Sequence, residues 1–331
     1  MRFKYIPIIT LLLAAALAVS CAVTPQEDED YSYDRVMKAW MRVNYPNVQP
    51  YGSGGAYVLS LSQGSGPAVT DSAYVRIHYT KRYLDQSIIE TNVEYLAEQL
   101  GTWTAASCFD GNIWRVDQGY LPDALEEVIK HMRGGGYALI ALPMSASDHS
   151  YTAYDAFSST SELSNELIEI EIDTVITNII DYQEKELRNW FREHYNSTST
   201  LEDHLYFKKL ETAEDTIPEG NNVNVRYVGR LLNGQVFDTN IEDTAKFYRI
   251  WKESKTYDAL SISYYKQDEE QFSTSNSVVT GFGKAILSMN YDETAVTAFS
   301  SDLGYGESGS NPAIPEYTPL SFWLYIEPKD K

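Results

Sequence analysis

The chain carries one pattern twice, and that repetition limits its fold more than any other feature. Trp40-Met-Arg-Val-Asn-Tyr45 lines up with Trp190-Phe-Arg-Glu-His-Tyr195 at an offset of 150 residues (190 − 40). Val75-Arg-Ile-His-Tyr79 lines up with Val223-Asn-Val-Arg-Tyr227 at an offset of 148 (227 − 79). At that second offset Arg82 to Asn92 also meets Arg230 to Asn240. A chain of 331 residues is long enough for two domains, each with its own core, so the repeat predicts one unit used twice.

Each copy opens with a Trp-bearing segment of helical period. Leu187, Trp190, Phe191 and His194 fall at i, i+3, i+4 and i+7, and Val36, Met37, Trp40 and Met41 form a similar face. The polar run Asn196-Ser-Thr-Ser-Thr200 ends the second helix. Strands follow, marked by period two: Val223, Val225 and Tyr227; Leu320, Phe322, Leu324 and Ile326; Ile168, Ile170 and Ile172. Asn233-Gly234 between two apolar pairs is a hairpin turn. Phe282, Ile286 and Met289 have helical spacing, so a short helix can lie against the concave sheet. The expected class is α+β: two antiparallel twisted sheets, each wrapped on a short helix and each preceded by an amphipathic helix.

The first residues have the pattern of a processing signal. Arg2 and Lys4 precede an apolar run, Ile6 to Val19, that is short for a membrane span of about 20 residues. Ala18-Val19-Ser20-Cys21 resembles the lipobox of bacterial lipoproteins, in which the Cys thiol is acylated. The expectation is a signal peptide over 1–21 and a membrane anchor at Cys21, on an outer-membrane lipoprotein facing the periplasm or the cell surface. The acidic run Glu27-Asp-Glu-Asp30 is too poor in core formers to fold and serves as a tether. With Cys21 acylated, Cys108 has no disulfide partner and no cysteine zinc site can form. Five scattered His show no metal-ligand pairing, so neither metal nor cofactor is expected. A net charge of −21 without a Lys/Arg cluster argues against nucleic acid as a partner.

Val223 to Asn240, Val278 to Phe282 and Gly304 to Phe322, in that order and spacing, resemble the FK506-binding (FKBP) type of peptidyl-prolyl isomerase. The resemblance implies an apolar cup over roughly Ile217 to Pro328, with no acid, base, nucleophile or metal. It makes Tyr227 a wall, Phe237 part of the lining and Asp238 a hydrogen-bond acceptor at the rim. Val278 and Val279 precede the helix, with the Val279 N–H holding a substrate carbonyl. Phe282 becomes the floor, where the best-known members have Trp. Tyr305 offers its hydroxyl to the prolyl carbonyl, Ile314 begins the flap and Phe322 is the last-strand aromatic. The segment from Asp238 to Val278 is longer than usual in that family, with Tyr257, Ile262 and Tyr264 as candidates for a further pocket side chain.

The first copy keeps Tyr79 but has Ile89-Glu90 for Phe-Asp and Leu121-Pro122 for Val-Val. Leu125 falls at the floor position, and Ile168 or Ile170 replaces the last-strand Phe. Pro122 has no N–H to offer. The expected division is therefore 1–21 signal peptide, 22–53 tether and helix, 54–180 degenerate unit, 181–215 linker helix and loop, and 216–331 isomerase unit. Proline-containing polypeptides are the expected partners of the last unit. A lipoprotein that binds peptides or a partner through the same fold without turnover is the contending reading, because a fold does not certify its usual activity.

Overall fold

Alternating apolar residues build two antiparallel sheets in the computed structural model, which describes residues 29–117, 119–146 and 164–329. Cys21 and the segments before and just after it lie outside the described residues. The N-terminal sheet contains β1 (Tyr57–Ser62), β2 (Ala73–Tyr83), β3 (Ile88–Thr91), β4 (Asn112–Val116), β5 (Gly136–Leu142) and β6 (Glu166–Ile176). Its order is β1-β5-β6-β2-β3, with β4 also paired to β2. The C-terminal sheet contains β7 (Thr200–Glu202), β8 (Leu205–Glu211), β9 (Asn222–Leu231), β10 (Val236–Thr239), β11 (Leu260–Ser263), β12 (Thr294–Phe299) and β13 (Leu320–Ile326). Its order is β10-β9-β13-β12-β8-β7, with β11 on β9. Apart from the edge strand β7, the two sheets have the same strand order.

One short helix packs into each sheet. Asp123–Ile129 begins after Pro122, and Thr280–Ile286 begins after Val279, so the two helices start at matching positions of the repeat. Leu125 and Phe282 occupy the same place in them, and both are buried. Phe282, Ile286 and Met289 all enter the C-terminal core together with Val225, Leu324 and Ile326.

The longer helices are rotated from the faces expected of them. In Glu29–Asn44, Met37 and Met41 are buried beside Tyr57 and Leu167, but Val36 is 54% exposed. In Ile179–Tyr195 the buried line is Ile179, Gln183, Leu187 and Phe191, an i, i+4 series, and His194 is exposed. Trp190 stays half-buried and stacks on His194 at 4.6 Å. This helix joins the two halves. Ile179 belongs to the N-terminal core, while Leu187 and Phe191 pack on Tyr206, Val296 and Ala298 of the C-terminal sheet.

One boundary moves. The stretch expected as linker, 181–215, includes β7 and β8, and β8 pairs with β12 along its length. The C-terminal sheet thus starts before residue 216. Leu205-Tyr-Phe-Lys-Lys-Leu210 does not alternate, because both faces of its first residues are covered. Its identity as a strand is therefore hidden from a period-two search.

Candidate functional site

The Asn233-Gly234 turn closes the β9–β10 hairpin, with Gly234 at a φ of +93° that favours glycine. A register shift between Val236 and Asp238 leaves Phe237 as the bulged residue. A bulge re-aims a side chain, and here Phe237 turns toward Phe322 on β13. Asn240 fixes the end of the hairpin. Its Oδ1 accepts the Tyr227 N–H at 3.0 Å and its Nδ2 donates to Val225 O at 2.8 Å.

Four rings then meet edge to face. Phe322 lies 5.6 Å from Phe237 and 5.2 Å from Phe282, with interplanar angles of 87° and 79°. Tyr227 stands 5.8 Å from Phe282 at 88°. Such T-shaped contacts each contribute about 0.5–1.5 kcal/mol beyond the area they bury. Phe322 and Phe282 are nearly closed off from solvent, whereas Tyr227, Phe237, Val278 and Val279 are half-buried. The arrangement is an aromatic cluster with a buried base and partly exposed sides. Gly229, opposite Phe322, makes it possible: a Cβ there would meet Phe237 Cζ at 2.6 Å and Phe322 Cε1 at 2.8 Å.

The rim is polar. Tyr227 Oη donates to Asp238 Oδ2 at 2.7 Å, and the other Asp238 oxygen accepts from the Lys255 ammonium. Burial first, and the Asp238 carboxylate second, push the Tyr227 phenol well above its ordinary range, so it remains a donor. Tyr305 is 41% exposed, and its phenol is raised by burial first and by the Asp238 carboxylate second. Its hydroxyl has no hydrogen-bond partner among the described residues. The Val279 N–H likewise has no acceptor among them. Ile314 is buried in the core cluster rather than standing free, held by a pair of backbone bonds with Ser310 at 2.6 and 3.0 Å.

Tyr227, Phe237, Phe282 and Phe322 share ring contacts, Asp238 bonds to Tyr227, and Val278, Val279 and Ile314 pack on the same core, while Cys21 lies outside the described residues. The three candidates in the long segment do not join the ring cluster. Tyr264 is buried and donates to Leu287 O at 3.1 Å, Ile262 is core, and Tyr257 receives the Lys252 N–H at 2.9 Å. What that segment does supply is Lys255, for the rim, and Phe272, whose ring lies where a Gly283 Cβ would be. Phe299, also missed, stacks behind Phe322 at 5.8 Å and 13°. Two glycines in the helix, Gly281 and Gly283, were the available signal. Each sits where an aromatic ring leaves no room for a Cβ.

The N-terminal unit repeats the frame with a ring contact, Tyr79 on Trp114 at 5.4 Å, where the C-terminal unit has four rings together. Tyr79 Oη donates to Glu90 Oε1 at 2.6 Å, and Asn92 Oδ1 accepts the Tyr79 N–H at 2.7 Å. The register pairs Lys81 with Ile168 as it pairs Gly229 with Phe322, which selects Ile168 over Ile170 as the counterpart. Lys81 reaches Glu166 at 3.3 Å, with both side chains almost fully buried. A cleft of about 290 Å³ beside this unit is lined by Tyr79, Glu90, Asn92 and Cys108 and by Pro312 and Pro315 of the other half. Cys108 is half-buried against the C-terminal core, and burial raises its thiol to about 11, so it stays protonated and unreactive. No group of three His, Cys, Asp or Glu that could hold a metal occurs among the described residues.

Residues 214–326 match the family model of FKBP-type peptidyl-prolyl cis-trans isomerases. FK506-binding protein 1 of Dictyostelium discoideum is 29% identical over 105 residues, which are 32% of this chain and 78% of that protein. FK506-binding protein 4 of the same organism is 26% identical over 128 residues, 38% of this chain and only 29% of that protein's length. Among solved structures, the three FKBP domains of wheat FKBP73 align over 83% of this chain and 95% of theirs, at 18% identity and a TM-score of 0.30.

Proposed function

We propose that the C-terminal unit is a peptidyl-prolyl cis-trans isomerase acting on proline-containing chains, with the ring-lined hollow as its catalyst. Rotation about an X-Pro bond breaks amide resonance, across a barrier of about 18–20 kcal/mol. In the twisted state nitrogen regains its lone pair and the carbonyl oxygen loses negative charge. A dry aromatic surface therefore accommodates the twisted state better than water does, and each 1.36 kcal/mol of that preference is about tenfold in rate. Phe282, Phe322, Phe237 and Tyr227 would enclose the proline ring. The Tyr305 hydroxyl and the Val279 N–H, both without hydrogen-bond partners among the described residues, would hold the flanking carbonyls. Asp238 keeps Tyr227 in place as a wall.

The observation that supports this reading is the convergence of Tyr227, Phe237, Phe282 and Phe322 beside the Tyr227–Asp238 hydrogen bond. A protease-coupled prolyl-peptide assay tests it. The wild type should isomerise well above the uncatalysed rate, and Asp238→Val and Tyr305→Ala should each lose about tenfold or more. A wild type no faster than background would leave a peptide dock in place of an enzyme.

Tethering to the outer membrane through Cys21, with the N-terminal unit as a non-catalytic spacer or binding module, completes the proposal. It is supported by the residues 18–21 and by Ile89, Leu125 and Ile168 standing where the C-terminal unit has Phe237, Phe282 and Phe322. Palmitate labelling that survives Cys21→Ser would refute the anchor.

A further inference from the structure

We infer that Gln183, on the helix that joins the two halves, is a positioning residue for Tyr305; the inference builds on the isomerase reading of the hollow. Gln183 interrupts an apolar line, Ile179, Leu187 and Phe191, and is 0% exposed. A buried amide is costly unless its hydrogen bonds are made, and an apolar side chain would pack there more simply. Its bonds are made, and all go to one loop. Oε1 accepts the Ser301 N–H at 2.8 Å, and Nε2 donates to Tyr317 O at 2.7 Å and to Ser301 Oγ at 3.1 Å.

Ser301 and Tyr317 are the two ends of the loop that carries Tyr305 and Ile314. Between them the backbone closes a ring. Gly306 N–H donates to Ser301 O at 2.7 Å, and Tyr317 N–H donates to Gly306 O at 2.9 Å. Gly306 follows Tyr305 directly, so the amide of Gln183 completes the frame from which the Tyr305 ring projects. The N-terminal unit holds the same loop elsewhere. The Tyr317 ring enters the N-terminal core and meets Tyr74 edge-on at 5.0 Å, and the Cys108 N–H donates to Pro312 O at 3.2 Å. The Tyr305 backbone O accepts the Gly309 N–H at 3.2 Å, while its side chain is 41% exposed and its hydroxyl has no partner among the described residues, so its direction is set by this frame. A donor misplaced by a fraction of an ångström loses much of its effect on a bound carbonyl. Gln183 also lies outside residues 214–326, so the hollow depends on a residue beyond the matching stretch.

Two arms on the full-length chain test this. In Gln183→Leu, hydrogen exchange at the Gly306 and Tyr317 amides should speed up by about tenfold or more while β13 amides keep their protection. In the prolyl-peptide assay Gln183→Leu should lower kcat about tenfold with Tyr305 present and less than about twofold in a Tyr305→Phe background. Gln183→Met, close in shape and lacking both hydrogen bonds, should reproduce both effects and serves if the Leu variant does not fold. Unchanged exchange at both amides, or equal kcat losses in the two backgrounds, overturns the proposal. Absence of turnover by the wild type would refute the isomerase reading instead, and the exchange arm would still decide the positioning.

Discussion

The two sheets share a strand order, a hairpin bulge, a Tyr–carboxylate bond and an Asn that ties the hairpin down, yet among the described residues the four-ring cluster belongs to the C-terminal one alone. The difference is concentrated at one strand position. Gly229 leaves space into which Phe237 and Phe322 lean, whereas Lys81 sends a long chain across the same face to Glu166. Around it the floor changes from Phe282 to Leu125, and the N–H of Val279 gives way to Pro122. A frame is thus largely separable from a site: the shared bulge, Asn and Tyr–carboxylate bond fix the hairpin and one wall, and the divergent residues are the remaining ones that would touch a ligand.

Substitutions that exchange features between the halves test this contrast. The largest effect is expected from Lys81→Met, which strands Glu166 without its ammonium partner and should cost about 3–5 kcal/mol in urea unfolding. Adding Glu166→Leu should recover that loss, because a buried ion pair replaced as a whole by apolar groups is about neutral. A double variant as unstable as the single one would mean that the pair organises the N-terminal core rather than merely filling it. Next, Gly229→Lys carries the N-terminal feature into the hollow and should cut kcat/KM about a hundredfold in the peptide assay. Full activity there would show that the rings at Phe237 and Phe322 are dispensable.

Phe282→Leu copies the N-terminal floor on a smaller scale. About a tenfold fall in kcat/KM is expected, with about 1 kcal/mol of stability lost. The smallest effect concerns what the halves share, a protonated tyrosine at the rim. Tyr227 and Tyr305 are both raised by burial and by Asp238, so kcat/KM should stay level from neutral pH to about pH 10. Stability should behave differently. Burial holds Tyr264 and Tyr317 protonated up to about 12, while the unfolded chain ionises near 10. Their contribution is complete below about pH 10 and is lost as pH climbs toward 12, since the unfolded state sheds protons first. A urea midpoint that rose over that interval would contradict the assignment.

Much of the architecture was legible because it is local. Period-two runs announced β9, β13 and β6, the Asn233-Gly234 pair announced the hairpin, and the spacing of Phe282, Ile286 and Met289 announced the short helix. The aromatic set was legible as a set, from its order along the chain. The strand β8 was not, since a strand covered on both faces loses alternation. The choice between Ile168 and Ile170 needed the register, because neighbours two apart on one face have the same pattern. Val36 and His194 were placed on buried faces by spacing alone, and the partners that each helix meets turned both to solvent.

Sequence alone predicted two sheets from a repeated pattern and placed the aromatic set in the second, since both follow from residue order and short-range period. Only the tertiary structure decided how Gly229 admits two rings, how Lys255 comes back to Asp238, and how Gln183 closes the loop beneath Tyr305. Those contacts join positions up to 134 residues apart, as in the bond from Gln183 to Tyr317. They exist only after sheet register and helix docking have closed the intervening chain, and no periodicity in the sequence encodes that closure.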